Sequence, residues 1–172
     1  MLAALDRPTA GTVTLQGRNL SDLDRAARRR VRRTTAVMVL PQPADNLLLA
    51  RTGRGNLRAV AALRSVTDGV EHAIDELVGR IGMGAFVDHP CGAMSGGEQQ
   101  RLAIACALVG SPALVLADEP TGALDAVSAA TVIDALRAAV VAGATIVVAT
   151  HDPHVMAAAD EVIRLDHGRR VE

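Results

Sequence analysis

The sequence of 172 residues contains no lysine, and all 18 of its basic residues are arginines. Aromatic residues are almost absent as well, since Phe86 is the only one, and the net charge is −1. Proteins that bind nucleic acids usually have a basic surface and aromatic rings that stack on bases. The sequence therefore disfavours that class, and we expect no nucleic acid among the partners of this protein.

Cysteine and long apolar runs are also scarce. Cys91 and Cys106 are separated by fifteen positions and form no CxxC pattern, so neither a disulfide framework nor a zinc site is indicated, and a reducing compartment fits. No apolar run approaches the ~18–20 residues that a membrane span requires. If this protein acts at a membrane, we expect a partner to supply the membrane part.

Apolar residues make up 49% of the chain, which predicts one globular domain with a sizeable core. Short apolar runs alternate with segments of helical periodicity, and this alternation is typical of a parallel β-sheet covered by helices. The first strand lies between two glycines, which favours a hairpin or meander. The predicted strands are 12–15, 35–40, 113–117, 144–150 and 162–165, and the predicted helices are 56–64, 70–84 and 128–142.

The run RAARRRVRR at 25–33 permits two interpretations. It could contact nucleic acid, or it could form the solvated face of a helix. The second interpretation is favoured because the run is short, contains alanines and is offset by Asp22 and Asp24.

Two adjacent carboxylates, Asp118 and Glu119, end the apolar run at 113–117. Ligands of open α/β sheets bind at the carboxyl ends of strands, so a strand here would deliver both side chains to a ligand site. In nucleotide triphosphatases one such carboxylate holds Mg²⁺, and the next can polarise an attacking water. The alternative is an acidic turn that faces solvent.

Ser95-Gly96-Gly97-Glu98 precedes a predicted helix. Ser95 and Glu98 have the spacing of a capping box, in which each side chain binds the other residue's backbone N–H. Two glycines at a helix N-terminus also expose backbone N–H groups that suit a phosphate. The two interpretations do not exclude each other. The helix that follows is expected to bury one apolar stripe, formed by Leu102, Ala105, Cys106 and Val109.

His151 and Gln42 each follow a predicted strand and would face the same edge of the sheet as Asp118 and Glu119. An isolated histidine is more often structural than catalytic. Gln42 could hydrogen-bond a metal-bound water or simply face solvent. Asp152-Pro153 has the pattern of an N-cap followed by the first residue of another helix.

The order of these motifs carries a family resemblance. Gln42, MSGGEQQRLAIACAL at 94–108, ALVLADEPTGALD at 113–125 and VVATHD at 147–152 resemble the Q-loop, signature, Walker B with D-loop, and switch histidine of ATP-binding-cassette (ABC) transporter subunits. The resemblance spans nearly the whole chain. Within the family, the sequence is most similar to cassettes that pair with lipoprotein-releasing, macrolide-export or cell-division-type permeases.

The resemblance implies roles for these residues, with ATP and Mg²⁺ as cofactors. Asp118 would serve the Mg²⁺, Glu119 would be the catalytic base, Gln42 would approach Mg²⁺ and the attacking water, and His151 would sense the γ-phosphate. Four residues would contact the nucleotide on a second cassette, and Asp125 would lie in the D-loop at that interface. These four residues are Ser95, Gly96, Gly97 and Glu98.

The resemblance also implies an α/β fold of the P-loop NTPase (RecA-like) class. Residues 1–43 and 106–172 would form its core, and 44–105 an inserted helical subdomain that grips a permease. The partners would be permease subunits and a second, identical or different, cassette. The location would be cytoplasmic, on the inner face of the cell membrane through the permease.

One motif of the family has no counterpart. A P-loop, GxxxxGK[ST], needs a lysine that reaches the β and γ phosphates, and this chain has none. By the resemblance, the P-loop and two N-terminal strands would lie upstream of Met1. Their loss would uncover apolar surface and backbone groups of the neighbouring strands. We therefore expect this chain to bind ATP poorly and to hydrolyse it negligibly.

Smaller departures leave a second hypothesis open. Cys106 stands where the family usually has arginine, and Pro41 stands where an aromatic residue usually precedes the Q-loop glutamine. The chain could be a non-catalytic remnant that offers its signature segment to a complete cassette. A DNA-repair or chromosome-maintenance ATPase is disfavoured, because 42–95 is too short for the coiled coil that such proteins insert.

Overall fold

Three parallel strands form the central sheet of the computed structural model, which describes residues 1–171. The strands are β1 (Thr14–Leu15), β2 (Arg18–Asn19), β3 (Ala36–Val39), β4 (Leu114–Asp118), β5 (Thr145–Ala149), β6 (Arg164–Asp166) and β7 (Arg169–Val171). The helices are α1 (Arg25–Thr34), α2 (Gly53–Leu63), α3 (Val70–Arg80), α4 (Gly96–Leu108), α5 (Ala126–Val141) and α6 (Pro153–Ala158), with 3₁₀ turns at Pro43–Asn46 and Cys91–Ala93.

The sheet has the order β3-β4-β5, and both pairings are parallel. Val39 lies opposite Ala117, and Ala117 lies opposite Val148. The predicted parallel sheet is therefore confirmed for these three strands. Because the strands run in one direction, their carboxyl ends meet at one edge, and the segments after β3, β4 and β5 emerge there.

The largest apolar cluster packs one face of the sheet against α2, α3, α4 and α5. Helix α4 lies at its centre, and every residue from Leu102 to Leu108 is buried. All four residues of the predicted apolar stripe are buried, but the burial extends beyond that stripe to the other residues of this half of the helix. The helix touches β3, α2, α3 and α5 on different sides, so its carboxyl-terminal half is apolar all round.

A smaller cluster covers the start of the other face of the sheet. Ala4, Leu20 and Val31 pack there on Ala36 and Leu114. Further along the strands this face is more exposed. Met38 of β3 and Val147 of β5 lie on either side of Leu116, in the middle of β4, and each is 42% exposed. Parallel sheets are usually covered on both faces, so this open row is an unusual feature of the fold.

The strand predicted at 162–165 does not join the parallel sheet. Its counterpart, β6, pairs antiparallel with β7 in a separate hairpin whose residues are all exposed. His167 and Gly168 both have positive φ, which is the backbone of the two-residue hairpin turn that matches strand twist. The tight turn at His167 and Gly168 therefore pairs β6 with the next segment, β7, although the apolar run at 162–165 predicted a strand of the parallel sheet. The hairpin predicted near 12–15 is confirmed, since β1 pairs with β2.

Helices α2 and α3 lie between β3 and β4 in the chain and are joined by ion pairs. Arg54 and Arg58 of α2 contact Asp75 and Glu71 of α3, each at 2.7 Å, and Arg54 also contacts Asp88, beyond the end of α3, at 3.2 Å. Each pair links side chains that are at least partly exposed, so we expect these contacts to orient the two helices more than to stabilise them.

Helix α2 begins three residues before its predicted start. Thr52 caps it there by accepting a hydrogen bond from the backbone N–H of Gly55, and two glycines precede the apolar residues on which the prediction rested. Among residues 1–171, no helix is long and apolar enough to span a membrane.

Replacement of Leu102 by alanine tests the packing of α4. Leu102 has no exposed surface, so we expect the Leu102→Ala variant to lose about 2–5 kcal/mol of unfolding free energy, measured by urea denaturation. Leu63→Ala is the matched control, because Leu63 is 58% exposed and its truncation is expected to change stability by no more than about 0.5 kcal/mol. Equal losses in the two variants would contradict the buried position of α4.

Candidate functional site

The edge where β4 and β5 end holds the side chains that the sequence singles out. Asp118 is the last residue of β4 and is exposed, and it lies opposite Ala149, the last residue of β5. Glu119 follows immediately and is held to β5, because its backbone N–H donates to the carbonyl of Ala149 at 2.9 Å. His151 emerges two residues after the end of β5.

Glu119 turns sharply out of the sheet. Its φ of 45° lies in the left-handed region, which is unusual for a residue with a side chain. The Glu119 carboxylate accepts three hydrogen bonds: from Thr150 Oγ1 at 2.9 Å, from the His151 backbone N–H at 3.2 Å and from His151 Nδ1 at 2.7 Å. Because a carboxylate can only accept, the imidazole must carry its proton on Nδ1.

The contact with His151 shifts the pKa of both groups. Desolvation raises the pKa of the Glu119 carboxyl, but hydrogen bonds from His151 and Thr150 outweigh it, and the net pKa lies below the ordinary value. The hydrogen bond and the charge of Glu119 raise the pKa of His151. Glu119 is thus held as a carboxylate with a donor beside it, although the His151 side chain itself is 90% exposed.

Two residues that the sequence did not single out belong to this site. Thr150 donates to Glu119, and Thr121 donates from Oγ1 to Asp152 Oδ2 at 2.7 Å. The predicted cap of α6 is confirmed, since Asp152 Oδ1 accepts from the backbone N–H of His154. The contact between Thr121 and Asp152 could not be predicted from local sequence patterns, because the two residues are 31 positions apart.

The start of α4 is closed by the capping box predicted from Ser95 and Glu98. The Glu98 carboxylate accepts from the backbone N–H of Ser95 at 2.7 Å and from its hydroxyl at 2.9 Å, and Ser95 Oγ accepts from the backbone N–H of Glu98. Gly96 is exposed, and a Cβ added there would meet no atom within 4 Å. The local interpretation is confirmed, and Gly96 has open space beside it, whereas a Cβ on Gly97 would contact Leu124 Cδ2 at 3.5 Å.

Helix α4 is tied to the segment that follows β4. Gln100, which is buried, donates from Nε2 to the carbonyl of Pro120 at 3.0 Å. Arg101 donates to Ser128 Oγ at 2.6 Å, and Ser128 Oγ lies 2.8 Å from Asp125 Oδ2. Asp125 is the N-cap of α5, and its side chain accepts from the backbone N–H of Ser128. The start of α5 is therefore fixed relative to α4.

Gln42, unlike His151, makes no hydrogen bond to Glu119 within residues 1–171. It is exposed and precedes the 3₁₀ turn at Pro43–Asn46, and its backbone carbonyl accepts from the Asn46 side chain at 3.0 Å. The described part of the chain contains no group of three or more His, Cys, Asp or Glu residues arranged to hold a metal ion.

Comparison with solved structures shows that this chain has the α/β fold of the P-loop NTPase class. The ATP-binding cassette MJ0796, in a dimeric post-hydrolysis state bound to ADP and Pi, superposes with a TM-score of 0.86 at 30% sequence identity. The alignment covers 99% of this chain and 76% of that chain. A second dimeric structure of MJ0796, described as a bacterial ABC transporter cassette, superposes with a TM-score of 0.85 at 31% identity and covers 96% of this chain and 73% of that chain.

Sequence comparison gives the family. The family described as ABC transporter matches residues 1–122. The macrolide export ATP-binding/permease protein MacB of Rhodospirillum rubrum is 41% identical over 174 aligned residues, which cover 100% of this chain. Its counterpart in Paracoccus denitrificans is 37% identical over 172 residues, which cover 99% of this chain. This chain belongs to the ABC transporter family and corresponds to an ATP-binding domain of it. It spans only 26% and 25% of the lengths of these two relatives.

The capping box gives a test by pH. Hydrogen bonds from the Ser95 backbone and hydroxyl lower the pKa of Glu98 in the folded chain. A lowered pKa contributes stability above the unfolded-state pKa of about 4.3, and that contribution is lost as the pH falls through the folded-state value. The unfolding free energy of the wild type relative to Glu98→Gln, measured in urea, should therefore decrease between neutral and acidic pH.

A double-mutant comparison isolates the part of this effect that comes from the hydroxyl. In the Ser95→Ala variant the hydroxyl contact with Glu98 is gone. The pH-dependent difference in stability between Ser95→Ala and the double variant Ser95→Ala with Glu98→Gln should therefore be smaller than the difference between the wild type and Glu98→Gln. A difference of the same size in both backgrounds would show that Ser95 Oγ does not hold the carboxylate.

Proposed function

We propose that this chain is the ATP-binding and ATP-hydrolysing part of an ABC transporter and that it couples hydrolysis to a membrane permease. The observation that carries the proposal is the Glu119 carboxylate, which accepts a 2.7 Å hydrogen bond from His151 at the edge where β4 and β5 end. Membership of the family supports an ATPase at this edge. The relatives' name, ATP-binding/permease protein, supports the link to a permease.

Each residue at the edge has a role that its chemistry suits. Asp118, an exposed carboxylate beside Glu119, would hold Mg²⁺, whose preferred ligands are oxygens. Bound Mg²⁺ would neutralise charge on the phosphates. Glu119 would act as the general base, because its lowered pKa keeps it ionised and a carboxylate can accept the proton of a water. His151 would orient Glu119 and meet the terminal phosphate, and Gln42 would approach the metal and the water.

The start of α4 would serve a second cassette. Ser95, Gly96, Gly97 and Glu98 form the capped first turn of α4. There the exposed Gly96 leaves space for the phosphates of a nucleotide held by the opposite subunit, at the positive end of the helix dipole. Asp125 would lie at the same interface, because the bonds of Arg101 and Ser128 link the start of α5 to α4. The dimeric state of the similar cassette MJ0796 supports this arrangement.

The segment at 44–105 would form the subdomain that contacts the permease, and 1–43 with 106–172 would form the catalytic core. Helices α2 and α3 support this division, since the ion pairs that join them lie within the segment. The domain would then lie on the cytoplasmic side of the cell membrane, held there by the permease.

The lack of lysine favours a second candidate function. Without the lysine of a P-loop, this chain offers the Asp118 and Glu119 carboxylates for Mg²⁺ and the attacking water but supplies no cation of that kind for the β and γ phosphates. The chain by itself would then be a non-catalytic partner that contributes its signature segment to another cassette.

The first test uses the chain alone. We expect the 172-residue protein to bind ATP weakly and to release phosphate at the background rate, because the main phosphate-binding loop is not in its sequence. Calorimetry with ATP and a phosphate-release assay with Mg²⁺ measure both properties. Mg²⁺-dependent turnover that Glu119→Gln abolishes would contradict this expectation.

The second test uses a chimera, in which this chain replaces the matching segment of the Rhodospirillum rubrum relative. If Glu119 is the general base, the chimera should hydrolyse ATP, and Glu119→Gln should reduce its rate about 10²–10⁴-fold. Glu161→Gln is the matched control and should keep the rate, because Glu161 is exposed and pairs at 3.5 Å with Arg170 of β7, outside the central sheet. A chimera that binds ATP but does not hydrolyse it would favour the non-catalytic function.

A further inference from the structure

Thr121 and Asp152 form a bridge between the two segments that leave the edge of the sheet. Thr121 belongs to the segment after β4, and Asp152 belongs to the segment after β5. The Thr121 hydroxyl donates to Asp152 Oδ2 at 2.7 Å, and Thr121 is only 4% exposed. Because water has little access to Thr121, breaking this hydrogen bond would leave the buried hydroxyl without a partner, and this cost favours the bonded state.

The bridge closes a ring of interactions around Glu119. The backbone N–H of Asp152 donates to Thr150 Oγ1 at 3.0 Å, and Thr150 Oγ1 donates to Glu119 Oε2 at 2.9 Å. From Glu119, the chain returns through the buried Pro120 to Thr121. The ring therefore fixes the distance between the backbone that follows β4 and the backbone that follows β5.

His151 lies within this ring but is not held by packing. Its side chain is 90% exposed, so its position depends on the backbone on either side and on the hydrogen bond to Glu119. The position of Glu119 also depends on its neighbours. Its left-handed backbone conformation costs energy, which the surrounding contacts must offset. If the two segments moved apart by the length of one hydrogen bond, the Glu119–His151 contact would be lost.

We propose that Thr121 and Asp152 are positioning residues that hold the Glu119 carboxylate against His151. Neither residue needs to touch nucleotide in this role. The inference rests on the proposed function, since the Glu119–His151 pair serves hydrolysis only if the edge is the catalytic site.

The experiment measures the proton on the His151 ring in the full chain by ¹⁵N NMR at alkaline pH, where the imidazole is neutral. In the wild type the bond to Glu119 places the proton on Nδ1. In Thr121→Val, which keeps the shape but removes the hydroxyl, we expect the Nδ1 resonance to move toward the unprotonated range as the proton transfers to Nε2. Thr121→Ser restores the hydroxyl and should restore the wild-type spectrum.

Two further variants separate positioning from stability. Thr131→Val is the matched control, because the Thr131 hydroxyl bonds to the carbonyl of Val127 in its own helix, and it should leave the His151 spectrum unchanged. Asp152→Ser keeps a good N-cap for α6, but serine is too short to reach Thr121, so this variant also breaks the bridge. We expect it to move the His151 proton to Nε2, and it provides the test if Thr121→Val does not fold.

The outcomes are distinct. A folded Thr121→Val or Asp152→Ser chain with the proton still on Nδ1 would overturn the inference, whatever its loss of stability. The measurement needs no ATP, so a failure of the proposed function in the chimera would leave the result on Thr121 and Asp152 standing as a structural finding.

Discussion

The parallel pairing of β4 with β5 is the constraint on which the candidate site depends. Ala117 lies opposite Val148 and Asp118 lies opposite Ala149, so the two strands end level with each other. Glu119 extends this pairing by one hydrogen bond to Ala149 before the chain turns away. A shift of the register by one residue would send alternate side chains to the other face and would move Glu119 away from the residues that follow β5.

Helix α4 connects this edge to the rest of the fold. Its carboxyl-terminal half is buried on all sides, and its first turn carries the exposed capping box and glycines. Between these two parts, Gln100 and Arg101 bond to the segment after Glu119 and to the start of α5. One rigid helix therefore fixes both the edge of the sheet and the surface that would meet a second cassette. A displacement at Ser95 would be carried to Pro120, because packed cores deform little.

Two features set this chain apart: it contains no lysine, and one face of its sheet is partly exposed. The edge supplies carboxylates, a histidine and a capped helix, which suit water and a metal ion, but no lysine for the phosphates. The exposed row of Met38 and Val147 leaves apolar surface on one face of the same sheet.

The sequence by itself determined the elements and motifs that depend on neighbours a few residues away. The strands β3, β4 and β5, the capping box at Ser95 and the cap at Asp152 were all predicted, because apolar periodicity and caps are local. Only the tertiary structure decided the long-range contacts: the bond between Glu119 and His151, the bridge between Thr121 and Asp152, and the exclusion of β6 from the sheet. These contacts join residues about thirty positions apart or depend on which strand edge is free, and no local pattern encodes such distances.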